Sequence, residues 1–391
     1  MKSGLFLTPF VLAVGKRHWW ISLLLWLVMV APAQASLILR VAVSEAASQV
    51  KIGSSTKALV RDASGKTLGE LPAMNGFAAQ PQSGKVALSR WAAGQMWIEP
   101  TGNGYVWIGD RWYRGKTLLI PQKGGLTAVN YVELEQYLYS VLGAEMSGNW
   151  PQEALKAQAV AARSYALNKR SESQTDIYDL EDTQISQVYK GLETESSGTY
   201  AAVDATAGQV LTYGGQIILA VFHSSSGGHT ENVEDVWTQP LPYLRGVPDF
   251  DQGAPVYEWT KTFSRSELSG KISGVGNIVS ITPQRTTAFG SVITMKVVGD
   301  KGSKVVSGAT LREALGLRST RFTVTPQYGT VAATTNSEQP PTAFQVKGKG
   351  FGHAVGMSQW GAHNMAQKGY NYQQILLHYY QGATLAKIQV Q

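Results

Sequence analysis

The sequence contains no cysteine among its 391 residues. This absence excludes disulfides, thiolate zinc sites and cysteine nucleophiles, so the chain must fold on its hydrophobic core alone. Charged residues are sparse, at 16%, and the net charge of +7 comes without a Lys/Arg cluster of the kind that follows nucleic-acid phosphates. We therefore expect no nucleic-acid partner. With 43% hydrophobic residues the chain can bury a sizeable core, and its length favours more than one compact lobe.

The apolar run near the N-terminus, Trp19 to Val30, is short for a membrane span. It follows the dipeptide Lys16-Arg17 and precedes Ala33 to Ala35, a small-x-small pattern. This order predicts a secretory signal peptide over residues 1–35. An uncleaved anchor is the alternative, because Leu5 to Val14 is also apolar. We expect an exported protein of the periplasm, cell wall or extracellular space, with membrane contact only if the signal is uncleaved.

The spacing of apolar residues predicts an α+β fold. Short alternating segments such as ILRVAVS, MWIEP and TLLIP predict a β-rich N-terminal part over residues 36–130. Helical spacing then begins, and residues 131–257 are predicted to form a mixed catalytic core. Residues 258–329 carry strand and helix patterns of their own and predict an inserted small α/β lobe. After an apolar-poor loop, Thr330 to Thr342, residues 343–391 complete the core.

A helix beginning at Pro151 is unusually rich in alanine, which fills six of the thirteen positions from Ala154 to Ala166. Proline is well suited to the first helical position. Leu155, Ala159, Ala162 and Ala166 fall on one narrow side of the helix, which indicates close packing against a neighbour inside the fold.

One carboxylate, Glu145, precedes this helix in what reads as a short loop. Its flanks, Val141, Leu142, Ala144 and Met146, are apolar. Apolar surroundings raise the pKa of a carboxyl group, as a general acid requires. A solvated loop carboxylate is the alternative interpretation, and the residues alone leave both open.

Three histidines lie near glycines or in a Ser/Gly loop: His223 and His229 in FHSSSGGHT, and His353 in GFGHAVG. Glycine lets backbone approach a ligand closely. Contact with a substrate and metal binding by His223 and His229 are both open, although their spacing matches no common zinc pattern and zinc would need carboxylates as well. The glycine block does not predict a dinucleotide site, because position 355 is valine. We predict no cofactor and no metal.

Seven separated motifs occur in an order that resembles the family of stage II sporulation protein D and the LytB amidase enhancer, SpoIID/LytB. The resemblance covers the chain from about Leu39 to its end. The motifs are YRGKTLLI, AVNYVELEQYLYSVLGAEM, WPQEALKAQAVAARSYAL, DTQISQVYKG, FHSSSGGHTENVEDVW, LREALGLRSTRFTV and GKGFGHAVGMSQWGAHNMAQKGYNYQQILLHYY.

The resemblance implies a peptidoglycan lytic transglycosylase that cleaves MurNAc–GlcNAc bonds in glycan strands denuded of stem peptides. It implies that Glu145 is the catalytic acid and that Arg163 lies with it in the cleft. The remaining predicted substrate contacts are Gln187, Tyr189, His223, His229, His353 and Gln359. Some relatives carry cysteine beside GGHT and are linked to zinc, but serines occupy that stretch here, from Ser224 to Ser226.

The same family includes amidase enhancers, so a second function stays open: a non-catalytic wall-binding protein that stimulates an N-acetylmuramoyl-L-alanine amidase. Peptidoglycan is the expected partner in both cases, and a cell-wall amidase is added in the second. A role in sporulation does not follow from the resemblance, because the family extends to organisms that form no spores.

Overall fold

The computed structural model describes residues 37–388 apart from 174, 176, 183–186, 238 and 330–339. The predicted signal peptide and most of the predicted loop 330–342 therefore lie outside the described residues. The strands are, in chain order, β1 (Ile38–Ala47), β2 (Val50–Ser54), β3 (Ala58–Asp62), β4 (Thr67–Leu71), β5 (Gly76–Gln82), β6 (Lys85–Leu88), β7 (Trp91–Ala93), β8 (Met96–Pro100), β9 (Val106–Ile108), β10 (Arg111–Tyr113), β11 (Lys116–Gln122), β12 (Gly125–Glu133), β13 (Leu180–Glu181), β14 (Gln209–Tyr213), β15 (Gln216–Ile217), β16 (Phe222–His223), β17 (Glu258–Ser264), β18 (Ile278–Thr286), β19 (Val292–Gly299), β20 (Gly302–Ser307), β21 (Phe322–Gln327), β22 (Ala343–Lys349), β23 (Met357–Ser358) and β24 (Thr384–Lys387).

The first thirteen strands build two sheets, with the orders β13-β1-β12-β11-β8-β3-β4 and β10-β9-β2-β5-β6-β7. Side chains alternate between core and surface along them, as in β2, where Val50 and Ile52 are buried and Lys51 is exposed. The sheets contact each other through β11 and β12 on one side and β5, β6 and β9 on the other. The β-rich N-terminal part predicted from the alternation is confirmed.

The described residues also form eight α-helices. They are α1 (Leu134–Glu145), α2 (Gln152–Glu172), α3 (Ser197–Ala205), α4 (Val233–Val236), α5 (Arg265–Lys271), α6 (Gly308–Leu315), α7 (Gln359–Gln367) and α8 (Tyr372–Tyr379), with a 3-10 helix at Gly191–Thr194. The prediction of a short loop around Glu145 was wrong, because α1 continues to that residue. Position 143 of α1 requires glycine, because the Cβ of any other residue would lie 1.8 Å from the Thr194 carbonyl oxygen.

Helix α2 is the centre of the core. We predicted that this helix buries one narrow apolar side, and that prediction was wrong. Every residue from Ala157 to Leu167 is buried, on all sides of the helix. The helix packs against α1, α3, α7, α8 and β14. Alanine at so many positions lets these neighbours approach from several sides at once. None of the described helices combines the length and the apolar character needed to cross a membrane.

Residues between Glu258 and Lys349 form a lobe with a hydrophobic core of its own, which includes Trp259, Met295 and Phe344. Its sheets have the orders β17-β22-β21 and β18-β19-β20. Strand β22 pairs with β17 and β21 along its whole length, so it belongs to the lobe sheet, whereas the predicted boundary placed residues 343–391 together. The two ends of the lobe meet, because Gly350 N–H donates to the Tyr257 carbonyl at 2.8 Å.

The α+β fold class is confirmed by these sheets and helices. Two small sheets complete the core around α2, with the strand order β15-β14-β24 and the parallel pair β16-β23. In that pair Phe222 lies opposite Met357 and His223 opposite Ser358. This pairing brings the FHSSSGGH segment next to the start of α7, although the two segments are far apart in the sequence.

Candidate active site

Glu145, the last residue of α1, lies partly buried at one side of a cleft. Its Oε1 accepts the backbone N–H of Val188 at 3.4 Å, and its Oε2 accepts Nε2 of Gln359 at 3.2 Å. Burial raises the pKa of the Glu145 carboxyl above its ordinary 4.5, and the Gln359 hydrogen bond, the Val188 N–H and the charge of Lys190 partly oppose this rise. A partly desolvated carboxyl with few donors is suited to general acid chemistry.

Gln359 reaches Glu145 because the chain turns sharply into α7. Ser358 caps that helix, with its hydroxyl oxygen accepting the Gly361 N–H at 3.1 Å. The turn before it requires glycine at 356, where φ is 69° and a side chain would meet the Val221 carbonyl oxygen at 2.2 Å. The glycines of the GFGHAVG block therefore serve close backbone packing, which sets the position of Gln359.

The cleft has a volume of ≈ 720 Å³. Aromatic rings are its main apolar surface, and two of them are exposed to a degree unusual for large rings, Trp237 at 40% and Phe351 at 43%. A cleft of aromatic rings with a few placed polar groups is typical of a ligand site. The lining residues are Glu145, Tyr165, Lys169, Val188, Leu219, Val221, Phe222, His223, Ser224, Trp237, Arg312, Phe351, Gly352, His353 and Gln359.

Two histidines in the cleft are held by one residue, Val355. Its carbonyl oxygen lies 3.1 Å from Nδ1 of His223, and its N–H donates to Nδ1 of His353 at 3.1 Å. Nδ1 of His223 must therefore carry a proton, whereas Nδ1 of His353 must not. The rings lie 5.3 Å apart. Burial lowers the pKa of both imidazoles to about 3, so both are neutral and of opposite tautomer at neutral pH.

These tautomers can be measured directly. Nitrogen-15 NMR of histidine-labelled protein is expected to show one Nδ1-protonated ring and one Nε2-protonated ring that do not titrate from pH 8 down to pH 5. His223→Gln and His353→Gln variants assign the two signals, and urea-unfolded protein supplies the freely titrating control. Protonation of either ring near pH 6.5, the ordinary value for histidine, would contradict the burial argument.

Beneath the Ser225–Gly228 loop lie two buried carboxylates, Asp249 and Asp251. Asp251 accepts the Ser225 hydroxyl at 2.5 Å and the N–H groups of Gly227 and Gly228 at 2.7 and 2.9 Å. Asp249 accepts hydroxyls from Ser226 and Tyr379. Burial and the neighbouring Asp249 raise the pKa of Asp251 to about 6. The hydroxyls of Ser225 and Ser226 therefore hold the loop on these carboxylates, whereas Ser224 lines the cleft.

The residues present do not fit a zinc site. His223 and His229 have different surroundings: His223 lines the cleft, whereas His229 stacks on Phe289 with ring centroids 3.8 Å apart. Nδ1 of His229 is taken by the Thr230 carbonyl at 2.8 Å. Within the described ranges, no group of three or more His, Cys, Asp or Glu side chains is arranged to hold a metal ion. No step of the chemistry considered below involves a metal.

The expectation that Arg163 lies with Glu145 in the cleft was wrong. Its side chain is fully buried inside the core and does not line the cleft. Its Nε donates to Glu135 Oε1 at 2.9 Å and its Nη2 to Oε2 at 2.5 Å, while Nη1 donates to the Gln209 carbonyl at 3.0 Å. A buried guanidinium needs such partners. Arg163 therefore ties α2 to α1 and β14.

Three predicted substrate contacts also lie away from the cleft. Gln187 is buried, accepting the Tyr137 hydroxyl at 3.0 Å and donating to the Ala162 carbonyl at 3.2 Å. Tyr189 is buried beside Tyr137 and donates its hydroxyl proton to Asn130 at 2.8 Å. These two and His229 have core or lobe partners in place of a ligand. The cleft brings together four of the predicted site residues, Glu145, His223, His353 and Gln359.

Most of the other lining residues were missed by the sequence analysis, among them Trp237 and Arg312. The ENVEDVW motif contains Trp237, and LREALG contains Arg312; the LREALG segment has the pattern of a short helix, and neither residue was singled out. Trp237 lies 5.1 Å from His353 between ring centroids. Arg312 lies beside the cleft only because the lobe packs against the core. The spacing of residues within its own segment therefore could not predict its position.

A larger cleft, of ≈ 970 Å³, lies on the N-terminal sheets beside Trp97, Tyr105 and Tyr131. Its carboxylates are already occupied. Glu99 forms ion pairs with Arg61 and Lys116, and Glu133 caps α1 by accepting the Gln136 N–H at 2.9 Å. The smaller cleft around Glu145 is therefore the better candidate for acid chemistry.

Comparison with known proteins gives matches over most of the chain. A family model described as Stage II sporulation protein (SpoIID) matches residues 122–213, and one described as a domain of unknown function (DUF8618) matches residues 243–356. Stage II sporulation protein D of Bacillus amyloliquefaciens is 37% identical, and that of Bacillus subtilis 35%, over 284 residues, 66% of this chain and 76% of each relative. The amidase enhancer of Bacillus subtilis is 30% identical over 290 residues, 63% of this chain and 40% of the enhancer.

Proposed function

The chain belongs to the SpoIID/LytB family, and on that premise we propose that it is an exported lytic transglycosylase of peptidoglycan glycan strands. The observation that carries the proposal is a single partly buried carboxyl, Glu145, in an aromatic-lined cleft. Exposed rings such as Trp237 and Phe351 offer flat apolar surfaces on which pyranose rings stack. We propose that the protein acts outside the cytoplasm, where its substrate is.

The proposed chemistry uses one carboxyl twice. Glu145 protonates the glycosidic oxygen between MurNAc and GlcNAc, the bond to C1 of MurNAc breaks, and the C6 hydroxyl of the same MurNAc attacks C1. The resulting Glu145 carboxylate takes the proton of that hydroxyl, which restores the acid and leaves a 1,6-anhydro-MurNAc end. No water enters the reaction, so no second carboxylate is needed.

The composition of the cleft supports this chemistry over hydrolysis. Hydrolytic glycosidases usually use a pair of carboxyl groups about 5–10 Å apart. Glu145 is the single carboxylate among the described lining residues. Two further carboxylates, Asp179 and Asp182, lie outside the cleft lining and have structural partners: Asp179 pairs with Arg40 at 2.7 Å and Asp182 accepts the Tyr189 N–H at 2.7 Å.

Mass spectrometry of glycan fragments tests the proposal. Purified protein is incubated with intact peptidoglycan and, separately, with peptidoglycan from which an amidase has removed the stem peptides. Anhydro-muramyl ends are the expected product. Reducing ends would mean hydrolysis and contradict the proposed mechanism. The two substrates show whether stem peptides must be absent.

A second candidate function rests on the similarity to the amidase enhancer. In that case the protein binds wall and stimulates an N-acetylmuramoyl-L-alanine amidase without chemistry of its own. The same incubation separates the two, because an enhancer releases no glycan fragments but accelerates release of stem peptides when an amidase is added.

The pH dependence of the transglycosylase follows from the pKa of Glu145. Glu145 must be protonated to start the reaction, so activity falls as pH rises through its pKa, which burial places above 4.5. Gln359→Met removes the hydrogen bond that favours the carboxylate, so the alkaline limb of kcat/KM should move to higher pH. Lys190→Gln should move it the same way, and Lys156→Gln, at an ion pair outside the cleft, should leave it in place. An unmoved limb in Gln359→Met would show that another group sets it.

A further inference from the structure

Arg312 differs from Arg321, another arginine of the lobe, in its lack of hydrogen-bonding and ion-pair partners among the described residues. It lies on α6, is partly buried and lines the same cleft as Glu145. Across the ranges that the structure describes, its guanidinium has no hydrogen bond and no ion pair. Arg321, from the same lobe, shows the contrast, since it pairs with the buried Glu231 at 2.8 Å.

Hydrogen bonds between the lobe and the core fix the position of Arg312. Arg321 donates to the carbonyls of Ser226 and His229, each at 2.9 Å, and thereby ties the lobe to the loop that follows His223. Gly352 N–H also donates to the Arg318 carbonyl at 3.0 Å. Contacts on both sides of the cleft therefore set α6 beside it.

The charge of Arg312 acts on the cleft. Burial is the one cause that lowers the pKa of its guanidinium, and no carboxylate offsets it. Arg312 lines the same cleft as His223 and His353, and its charge adds a small contribution to the lowered pKa of both imidazoles. An arginine stays protonated under these conditions, so the cleft holds a partly desolvated cation that has no carboxylate partner among the described residues.

The cleft also holds an unsatisfied acceptor beside this cation. Nδ1 of His223 carries its proton, so Nε2 is a lone pair, and it is buried without a partner. A ligand that fits both groups has an anionic oxygen pair for Arg312 and a nearby hydroxyl or amide proton for His223. Arginine binds carboxylates through two parallel N–H bonds.

We infer that Arg312 binds the free lactyl carboxylate of a MurNAc residue from which the stem peptide has been removed, so that the inserted lobe selects denuded strands. The inference rests on the proposed function for the nature of the polymer. In a peptide-bearing strand the same carboxyl is an amide and has no charge, so it gives Arg312 no counter-ion. The lobe would then supply substrate selection, while the core supplies the acid.

Binding measurements in a Glu145→Gln background test this without cleavage. The probes are denuded glycan oligomers with free carboxylates and the same oligomers after methyl esterification. Arg312→Gln should weaken binding of the free acid by roughly 10- to 100-fold, the range for a lost charge-assisted hydrogen bond. Esterification should weaken binding to the parent by a similar factor and should have no further effect on Arg312→Gln.

Arg285→Gln is the matched control, because Arg285 is an exposed arginine of the same lobe outside the cleft, and it should change neither affinity. Equal binding of acid and ester by the parent would overturn the inference, as would an equal loss of both in Arg312→Gln. Tight, Arg312-dependent binding of peptide-bearing strands would assign the cation to peptide carboxylates and overturn it too.

The outcomes are independent of the proposed chemistry. If the unsubstituted protein produces no anhydro ends but binding still depends on Arg312 and on the free carboxylate, the transglycosylase fails and the inference stands. If anhydro ends form at the same rate from acid and ester, the inference fails and the transglycosylase stands. Arg312→Gln should fold normally, since it removes a partly buried charge that has no ion pair within the described part of the chain; Arg312→Lys, which keeps the charge but loses the planar guanidinium, should bind between the parent and Arg312→Gln.

Discussion

Glu145→Gln is expected to lower the rate of anhydro-muramyl formation by about 10²–10⁴-fold, the usual contribution of a general acid. The change removes the proton and keeps the shape. The amide oxygen can still accept from Val188 or Gln359, so the end of α1 should stay in place. The expected result is a folded protein that binds glycan and does not cleave it.

The measurement is quantitation of anhydro ends by mass spectrometry over time, with glycan affinity recorded for each variant. Glu193→Gln is the matched control: it makes the same chemical change at an exposed glutamate of the 3-10 helix, paired with Arg111 at 3.2 Å. It should cleave normally. Full activity in Glu145→Gln would remove the carboxyl from the mechanism. Circular dichroism of both variants checks that the fold is kept.

Arg163→Met is expected to destabilise the protein by about 3–5 kcal/mol, because it leaves Glu135 without its buried partner. The Arg163 side chain is 0% exposed and that of Glu135 is 20% exposed, so water can compensate little. The loss of bonds to Glu135 and to the Gln209 carbonyl also separates α2 from its neighbours. Denaturant unfolding measures the change in the free energy of unfolding.

Lys156→Met is the control on the same helix. Lys156 pairs with Glu153 near the surface, at 2.7 Å, and an exposed pair of this kind contributes less than about 1 kcal/mol. A double change, Arg163→Met with Glu135→Met, should recover part of the lost stability, because both charges are gone. If activity returns with stability, Arg163 acts through the fold. A stable but inactive Arg163→Met would place the guanidinium in the chemistry after all.

Sequence patterns within single segments correctly predicted the strands and helices whose burial follows from their own residues. The alternation in segments such as VKIG and MWIEP gave the N-terminal sheets, because a half-buried strand alternates by geometry. The helix from Gln152 to Glu172 was predicted from composition and its proline start. Its burial on all sides was not, because Gln158 and Arg163 are residue types that normally mark a surface.

The candidate site likewise has features that one segment predicts and features that depend on tertiary packing. The apolar flanks of Glu145 indicated a raised pKa and left a solvated carboxylate equally open; in the structure burial raises the pKa, and the contacts that oppose the rise come from other parts of the chain. The partner of Arg163 lies in another helix, at Glu135, and its identity depends on how α1 and α2 pack. Arg312 and Trp237 reach the cleft through contacts across large sequence separations. Such contacts follow from tertiary packing, which spacing in one segment does not encode.

The lobe that carries Arg312 leaves and re-enters the core at one place, where Gly350 N–H bonds to the Tyr257 carbonyl. Its hydrophobic core is made of its own residues. A segment joined in this way has one junction with the rest of the chain, so substitutions inside its hydrophobic core act on the lobe and not directly on the helix that ends at Glu145. The surface that the lobe presents to the cleft can therefore change while the position of Glu145 is left untouched.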